Sequence, residues 1–155
     1  MLTQLSRLSV EADGRYAKTE ELQFFKSYYQ SLDDRLRTYE KVRAAAEEIV
    51  TNTEAEMRNI DPTIFMGASG DYSERWRKDI TNQIRYAAAA MLFNEHEYLK
   101  QGFLIWFKTI VNSYKFEKTC KLTFKVMPEV VKKMLAPEEA ALYCQILGIH
   151  QIVLT

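Results

Sequence analysis

The chain has 155 residues, equal numbers of basic and acidic side chains (21 each) and 47% hydrophobic residues. This length fits one domain with a sizeable core, and the apolar fraction excludes a disordered chain. Without a basic excess, nucleic-acid binding is not expected. No apolar run reaches membrane-spanning length, so we expect neither membrane insertion nor a secretory signal. Two cysteines make no disulfide framework and are typical of a cytoplasmic protein.

The first third of the chain predicts helices. Leucines recur at helical spacing before Gly14, which ends the first helix. An aromatic-rich stripe from Leu22 predicts a second helix, which is interrupted near residues 31–34. The apolar pattern then continues toward Met57 and predicts a further helix.

The middle of the chain holds the longest predicted connection. Residues 59–76 contain Pro62, Gly67 and Gly70, which favour irregular structure. A second group of helices is predicted to begin near Tyr72.

The second half is also expected to be helical. Residues 94–102 predict a polar joint, and the apolar residues 103–114 are expected to be buried on most sides or to lie at an interface. Pro128 and Pro137 are each assigned to the first turn of a helix, where proline is tolerated. Residues 121–127 fit either a strand or a helix. The sequence therefore predicts an all-α domain of about eight helices.

Candidate metal and haem ligands are few. His96 lies between acidic residues and is expected to be exposed, whereas His150 is expected in the core or at an interface. Glu95, His96 and Glu97 are adjacent and point in different directions, which is poor ligand geometry. Cys120 is assigned to a polar turn and Cys144 to the last helix. No nucleophile–base arrangement or phosphate loop occurs, so we do not expect an enzyme.

Several stretches resemble the phycobiliproteins, the globin-like light-harvesting subunits of cyanobacterial and red-algal antennae. The resemblance spans nearly the whole chain and rests on the order and spacing of these stretches. They are GRYAKTEELQFFKSYYQSLDDRLRTYEKV, AAAEEIV, KDITNQIRYAAAAML, VNSY and LAPEEAALY. The resemblance implies a single globin-like domain over residues 1–155, with an N-terminal helical hairpin at 1–32 for subunit contact and a core at 33–155.

The resemblance also implies a site for a linear tetrapyrrole (bilin) such as phycocyanobilin. The aspartate that matches Asp79 accepts hydrogen bonds from inner pyrrole N–H groups, and a carboxylate suits this role because it only accepts. Lys78 stands where the family has an arginine that meets a propionate, and Arg77 and Arg75 are further candidates. Tyr86 is a possible pigment contact, although core tyrosines are commoner.

The chain departs from the family pattern at the attachment point. The cysteine that forms a thioether to the bilin lies three residues before the aspartate, and Trp76 stands there. Tryptophan cannot make that bond, so any bilin must be held non-covalently. The indole could cover a pyrrole ring, or it could plug the site.

A partner subunit is also implied. In the family, an arginine matching Arg85 pairs across the subunit contact with an acid at the position of Glu11. Aromatic anchors with an ion pair are common in such interfaces. We expect a homodimer or an α/β-type heterodimer through Leu5, Glu11, Arg15, Phe25, Tyr29 and Arg85.

The leading interpretation is a bilin-binding protein that acts as a carrier, an antenna-associated module or a sensor. Bilin-synthesis or antenna proteins are then possible partners, and an antenna association would place the protein at the periphery of thylakoid membranes. One alternative is an assembly or regulatory protein with an empty pocket. Another is a globin-type sensor with haem or no ligand.

Overall fold

Helices form nearly all of the computed structural model, which describes residues 1–68 and 70–154. The helices are α1 (Leu2–Glu11), α2 (Gln23–Gln30), α3 (Leu32–Ile60), α4 (Ser73–Phe93), α5 (His96–Tyr98), α6 (Ile105–Ser113), α7 (Glu117–Met134) and α8 (Pro137–Leu154). A 3-10 turn precedes α2 at Glu20–Leu22, and a π-helix joins α5 to α6 at Leu99–Leu104. The all-α prediction is confirmed. The predicted domain of 1–155 includes Ser69 and Thr155, which lie outside the described residues.

The N-terminal helices lie on the surface of the domain. No residue of α1 is buried, and Gly14, with φ of 75°, follows its end. In α2, Tyr28 is buried and donates a hydrogen bond to the Leu92 carbonyl of α4 (3.3 Å). The helix is interrupted at Ser31, as predicted, before α3 begins. This region therefore touches the core mainly through α2.

The core lies between the four long helices α3, α4, α7 and α8. Their facing side chains are fully covered; they include Ile49, Met57, Ile84, Phe124, Met127, Tyr143 and Ile146. The Tyr143 hydroxyl donates to the Ile84 carbonyl (3.2 Å), which satisfies the one polar atom of this buried ring. Within the described ranges, no helix is long and apolar enough to cross a membrane.

The connection from α3 to α4 contains a short antiparallel hairpin, Met66–Gly67 with Gly70–Asp71. Phe65 is fully buried, and the Tyr72 hydroxyl donates to the Ile64 carbonyl (2.9 Å). The Asp71 carboxylate accepts from the backbone N–H of Ser73 (2.7 Å) at the first turn of α4. These contacts fix the position at which α4 begins.

One prediction about α7 is wrong, because Pro128 lies inside the helix and not in its first turn. Residues 121–127, which fitted either a strand or a helix, are helical. A proline in a helix interior removes one backbone hydrogen bond, but apolar residues at helical spacing bury that face of α7 against α3 and α8. Tertiary packing therefore outweighs the local preference. Pro137 does begin α8, as predicted.

The segment at 94–102 also differs from the prediction. The apolar run at 103–114 is buried only in part, and its alternative role as an interface stays a prediction. The expected polar joint is a short helix followed by the π-helix, a form that is common at functional sites. Of the apolar run that follows, Leu104 and Val111 are buried, whereas Ile105, Trp106 and Tyr114 are largely exposed. This segment packs against α8 and leaves an aromatic outer face.

Candidate functional site

The predicted site residues all lie on α4 but on two of its faces. Arg75, Trp76, Asp79 and Tyr86 face the π-helix and α6. Arg77, Lys78 and Arg85 face α3. Residues three or four apart share a helix face, so this division follows from the spacing. The structure therefore brings Asp79 together with three of the predicted bilin-site residues and separates it from the other two, Arg77 and Lys78. Arg85 was predicted for the subunit contact and lies with the separated pair.

Three adjoining hollows follow α4, and together we call them the α4 groove. The inner cavity is about 40 Å³, beside Trp76. The middle chamber is about 280 Å³ and shares Arg75, Asp79, Phe107 and Ile110 with the inner cavity. The outer hollow is about 610 Å³ and meets the middle chamber at Tyr86 and Phe103. Asp79 thus stands where the inner cavity and the middle chamber join.

Trp76 closes the inner end of the groove. It is 7% exposed, its indole N–H donates to the Thr123 hydroxyl (2.9 Å), and its ring centroid lies 5.0 Å from that of Phe65. The remaining 40 Å³ has room for about one water molecule. The inner cavity is therefore too small for a tetrapyrrole, and any bilin must lie in the more open part of the groove.

Asp79 is an ionisable residue in a half-buried position. Within the described chain, no hydrogen bond or ion pair reaches its carboxylate. Burial raises the pKa of Asp79, and the nearby Arg75 guanidinium opposes that rise only in part. Arg75 itself lies over the Tyr114 ring, 4.8 Å from its centroid. The carboxylate therefore faces the groove as a free acceptor.

Gln83 lies one helical turn after Asp79 and also lines the middle chamber. Its side chain is 1% exposed, and neither the oxygen nor the nitrogen of its carboxamide has a hydrogen-bond partner among the described residues. A buried amide without partners costs stability. Gln83 was not predicted from the sequence, although its spacing of four residues from Asp79 places it on the same face.

Aromatic rings form the wall opposite α4. Phe103 stacks on Tyr86, with ring centroids 4.2 Å apart and planes 23° apart. Phe107 stacks on Phe103 at 5.8 Å, and Trp106, which is 59% exposed, lies beside them. Tyr86 is itself 49% exposed, so the expectation of a core position does not hold. The wall is suited to flat, conjugated ligands.

Cys120 also lines the inner cavity, which the sequence did not predict. It was assigned to a polar turn, but it is buried in α7. Burial and the charge of Glu117 raise the pKa of the Cys120 thiol to about 12. Since the thiolate is the nucleophile, this thiol is poorly suited to attack a ligand. Cys144 lies in α8 as expected.

A second, basic groove lies between α3 and α4, with a volume of about 770 Å³. Arg43, Arg77, Lys78 and Arg85 line it, with Glu47 as the acidic residue among its walls. Arg77 forms an ion pair with Glu54. This basic groove therefore concentrates positive charge on a chain whose net charge is zero.

Five of the six predicted interface residues lie in the N-terminal region, and the sixth, Arg85, lies on α4. Tyr29 is 65% exposed and stacks on Phe25 (6.4 Å between centroids), whereas Leu5 is half-buried. Within the single chain, Glu11 pairs with Arg7 and Arg15 pairs with Glu21. Arg85 is exposed and donates to the Asn82 side chain (3.1 Å). The Glu11–Arg85 contact between subunits stays a prediction.

The two histidines lie apart from the α4 groove. His150 is fully buried, stacks on Phe124 at 5.1 Å, and has a pKa lowered by burial to about 4. His96 is half-buried, not exposed as expected, and burial with the nearby Arg35 lowers its pKa. In the part of the chain that the structure describes, no three His, Cys, Asp or Glu side chains are placed to hold a metal ion.

Comparison with known protein families assigns the chain to a family. The model of the phycobilisome protein family matches residues 8–149, which is most of the chain. The chain therefore belongs to the phycobilisome protein family, and its helical architecture agrees with the globin-like fold expected from the resemblance. A search of curated proteins found no match. Bilin binding is characteristic of this family.

Proposed function

We propose that this protein binds a linear tetrapyrrole such as phycocyanobilin without a covalent bond, in the α4 groove, as an exchangeable carrier or as a sensing or antenna-associated module. The observation that carries the proposal is the Asp79 carboxylate. It is half-buried, has no hydrogen-bond or ion-pair partner among the described residues, and belongs to a residue that lines an aromatic-walled groove. A protein gains nothing from burying an unpaired charge unless a ligand compensates it.

The chemistry of Asp79 matches the centre of a bilin. Pyrrole N–H groups are donors, and a carboxylate accepts hydrogen bonds at both oxygens. The negative charge also favours a protonated, cationic ring system over a neutral one. Asp79 would therefore fix both the orientation and the protonation state of the pigment.

The shape of the groove agrees with an elongated ligand. The middle chamber and outer hollow together fall within the range of known ligand sites, and they run along α4 rather than into the core. The stacked rings of Phe103 and Tyr86 stand where the two hollows meet. These aromatic side chains can stack on the conjugated rings of a bilin.

The absence of a thioether favours exchange over permanent attachment. Trp76 occupies the position of the attachment cysteine, and the Cys120 thiol is held protonated by burial. A pigment that is held only by hydrogen bonds and stacking leaves when the protein unfolds. This property suits a carrier or a sensor better than a permanent antenna subunit.

Co-expression with a phycocyanobilin-producing pathway tests the proposal. The purified protein should be coloured, and denaturation in acid should separate all pigment from the chain.

Asp79→Asn should shift and broaden the visible absorption, because the ring nitrogens lose a charged acceptor. Asp13→Asn, at an exposed position of the N-terminal surface, is the matched control and should leave the spectrum unchanged. Identical spectra for all three proteins would remove Asp79 from the site.

A second candidate is a chromophore-free assembly protein. Trp76 favours it, because the indole fills the inner cavity that a pigment could otherwise enter. The basic groove and the exposed N-terminal surface would then serve protein contacts. A colourless protein that forms the same oligomers with and without the bilin pathway would support this candidate over the first.

A further inference from the structure

We infer that the Gln83 carboxamide recognises lactam groups by forming hydrogen bonds with the N–H and C=O of a terminal lactam ring of the bound ligand. The inference rests on the proposed function and deepens it: Asp79 takes the inner nitrogens, and Gln83 selects a chain end that carries an unmodified lactam. The same pairing would accept any small cyclic amide that reaches the middle chamber.

Burial and lack of partners carry this inference. Gln83 is 1% exposed, and both polar atoms of its side chain have no partner among the described residues. Two of the four positions that lie three or four residues from Gln83, Ile80 and Ala87, are apolar and buried. An apolar residue of similar size would fill this position without leaving an amide unsatisfied. The carboxamide is therefore explained by something that is bound from outside the chain.

The chemistry selects the ligand class. A carboxamide offers one acceptor and one donor side by side. A lactam holds its N–H and C=O on the same side of the amide bond, so the two groups can exchange a pair of hydrogen bonds. A carboxylate or an ester cannot supply both partners. Along α4, Asp79 therefore offers only hydrogen-bond acceptors, and Gln83, one turn later, offers one acceptor and one donor group.

The spacing agrees with one extended ligand. Four residues of α-helix separate the two side chains by about 6 Å along the axis, and both line the middle chamber. Phe103 and Phe107 cover the chamber from the opposite wall. A ring of this wall must turn aside for the ligand to reach the amide, because Gln83 is so little exposed.

The test compares Gln83→Met, which keeps the length of the side chain and removes the amide, with Gln145→Met, a matched change at an exposed position of α8. Thermal unfolding of the pigment-free proteins and titration with phycocyanobilin are measured for both. We expect Gln83→Met to fold at least as stably as the parent and to bind the bilin about ten-fold more weakly, since two hydrogen bonds are lost. Gln145→Met should change neither property.

Two results with these variants would overturn the inference while leaving the role of Asp79 intact. If Gln83→Met binds the bilin as tightly as the parent does, the carboxamide makes no hydrogen bonds that contribute to bilin affinity. A clear loss of stability in pigment-free Gln83→Met would show that the amide already has a partner, such as a buried water.

A small probe separates this inference from the proposed function. The side-chain NH₂ signals of Gln83 are followed by NMR during addition of 2-pyrrolidinone, with N-methyl-2-pyrrolidinone as the control that lacks the N–H. Shifts of the Gln83 signals with the first compound alone support lactam recognition by the carboxamide, even if the protein binds no bilin. No shift, or equal shifts with both compounds, overturns it.

Discussion

At the scale of single residues, burial of the Asp79 carboxylate costs stability, and we propose that ligand binding offsets this cost. This carboxylate has no hydrogen-bond or ion-pair partner among the described residues, so its burial disfavours the charged form in the folded state. Because burial raises the pKa in the folded protein above that of the unfolded chain, the folded state binds a proton more readily. The contribution of Asp79 to stability therefore becomes less favourable as pH rises through that window.

This pH dependence of stability gives a prediction that can be tested on the pigment-free protein. Asp79→Asn should stabilise the protein at pH 7 and have little effect at a pH below the unfolded pKa of aspartate, about 3.9. The gain should stay below about 1 kcal/mol because the group is still partly solvated. Urea unfolding of both proteins at the two pH values measures it. Asp13→Asn should show no such pH-dependent gain, and a loss of stability in Asp79→Asn at pH 7 would contradict the account.

Trp76 offers a second prediction at this scale. Trp76→Cys places a thiol three residues before Asp79, the position at which the family attaches its bilin, and it also enlarges the inner cavity. In the presence of phycocyanobilin the thiol S–H can add across the ethylidene double bond, forming the S–C bond and transferring the proton to the ligand. We expect a fraction of the pigment to stay with the chain in acid, as measured by mass spectrometry.

The cost of this substitution is also predictable. Removing the indole loses its packing on Phe65 and its hydrogen bond to Thr123, and comparable large-to-small changes cost about 3–5 kcal/mol. The parent protein, treated in the same way, should release all of its pigment. A mass equal to that of the unmodified chain for Trp76→Cys, despite co-purified colour, would place the ligand away from this position.

At the scale of helices, α2 carries the most testable surface. Tyr28 fixes the helix to α4, while Tyr29 points outward and is largely exposed beside Phe25. Exposed aromatic residues that are held by a buried neighbour are typical anchors of an interface. We predict that Tyr29→Glu weakens self-association at least ten-fold, as measured by sedimentation equilibrium.

A control on the same helix makes this result specific. Lys26→Glu changes charge at an exposed position of α2 without removing an aromatic ring, and it should alter association much less. If both variants associate as tightly as the parent, the partner contact lies elsewhere on the molecule.

Helical spacing predicted much of this architecture. It assigned Asp79 to an early turn of a long helix, and it located the break at Ser31. It did not predict the opposite wall of the groove, because Phe103 is brought onto Tyr86 of α4 by packing between separate helices. Nor did it predict the π-helix, which changes the register of the side chains that follow.

The misassignments have physical causes as well. Cys120 stands among lysines in the sequence and looks like part of a turn, yet the helical stripe of α7 turns it inward. Pro128 was expected to begin a helix because its local preference is strong, but burial of the surrounding face decides. In both cases long-range packing outweighs a local signal.

At the scale of the whole molecule, the two faces of α4 divide its roles. One face carries Asp79 and Gln83 toward the α4 groove, and the other carries Lys78 and Arg85 into the basic groove. A ligand on the first face and a partner on the second would therefore meet across a single helix. Non-covalent pigment binding is the claim on which this arrangement depends.

Titration of the pigment-free protein with phycocyanobilin tests that claim most directly. The account predicts a saturable red shift and sharpening of the absorption with a Kd of about 1 µM or tighter, and complete release of the pigment in acidic urea. A folded protein that leaves the spectrum of the bilin unchanged at about 100 µM, which would place any Kd well above that range, would contradict it.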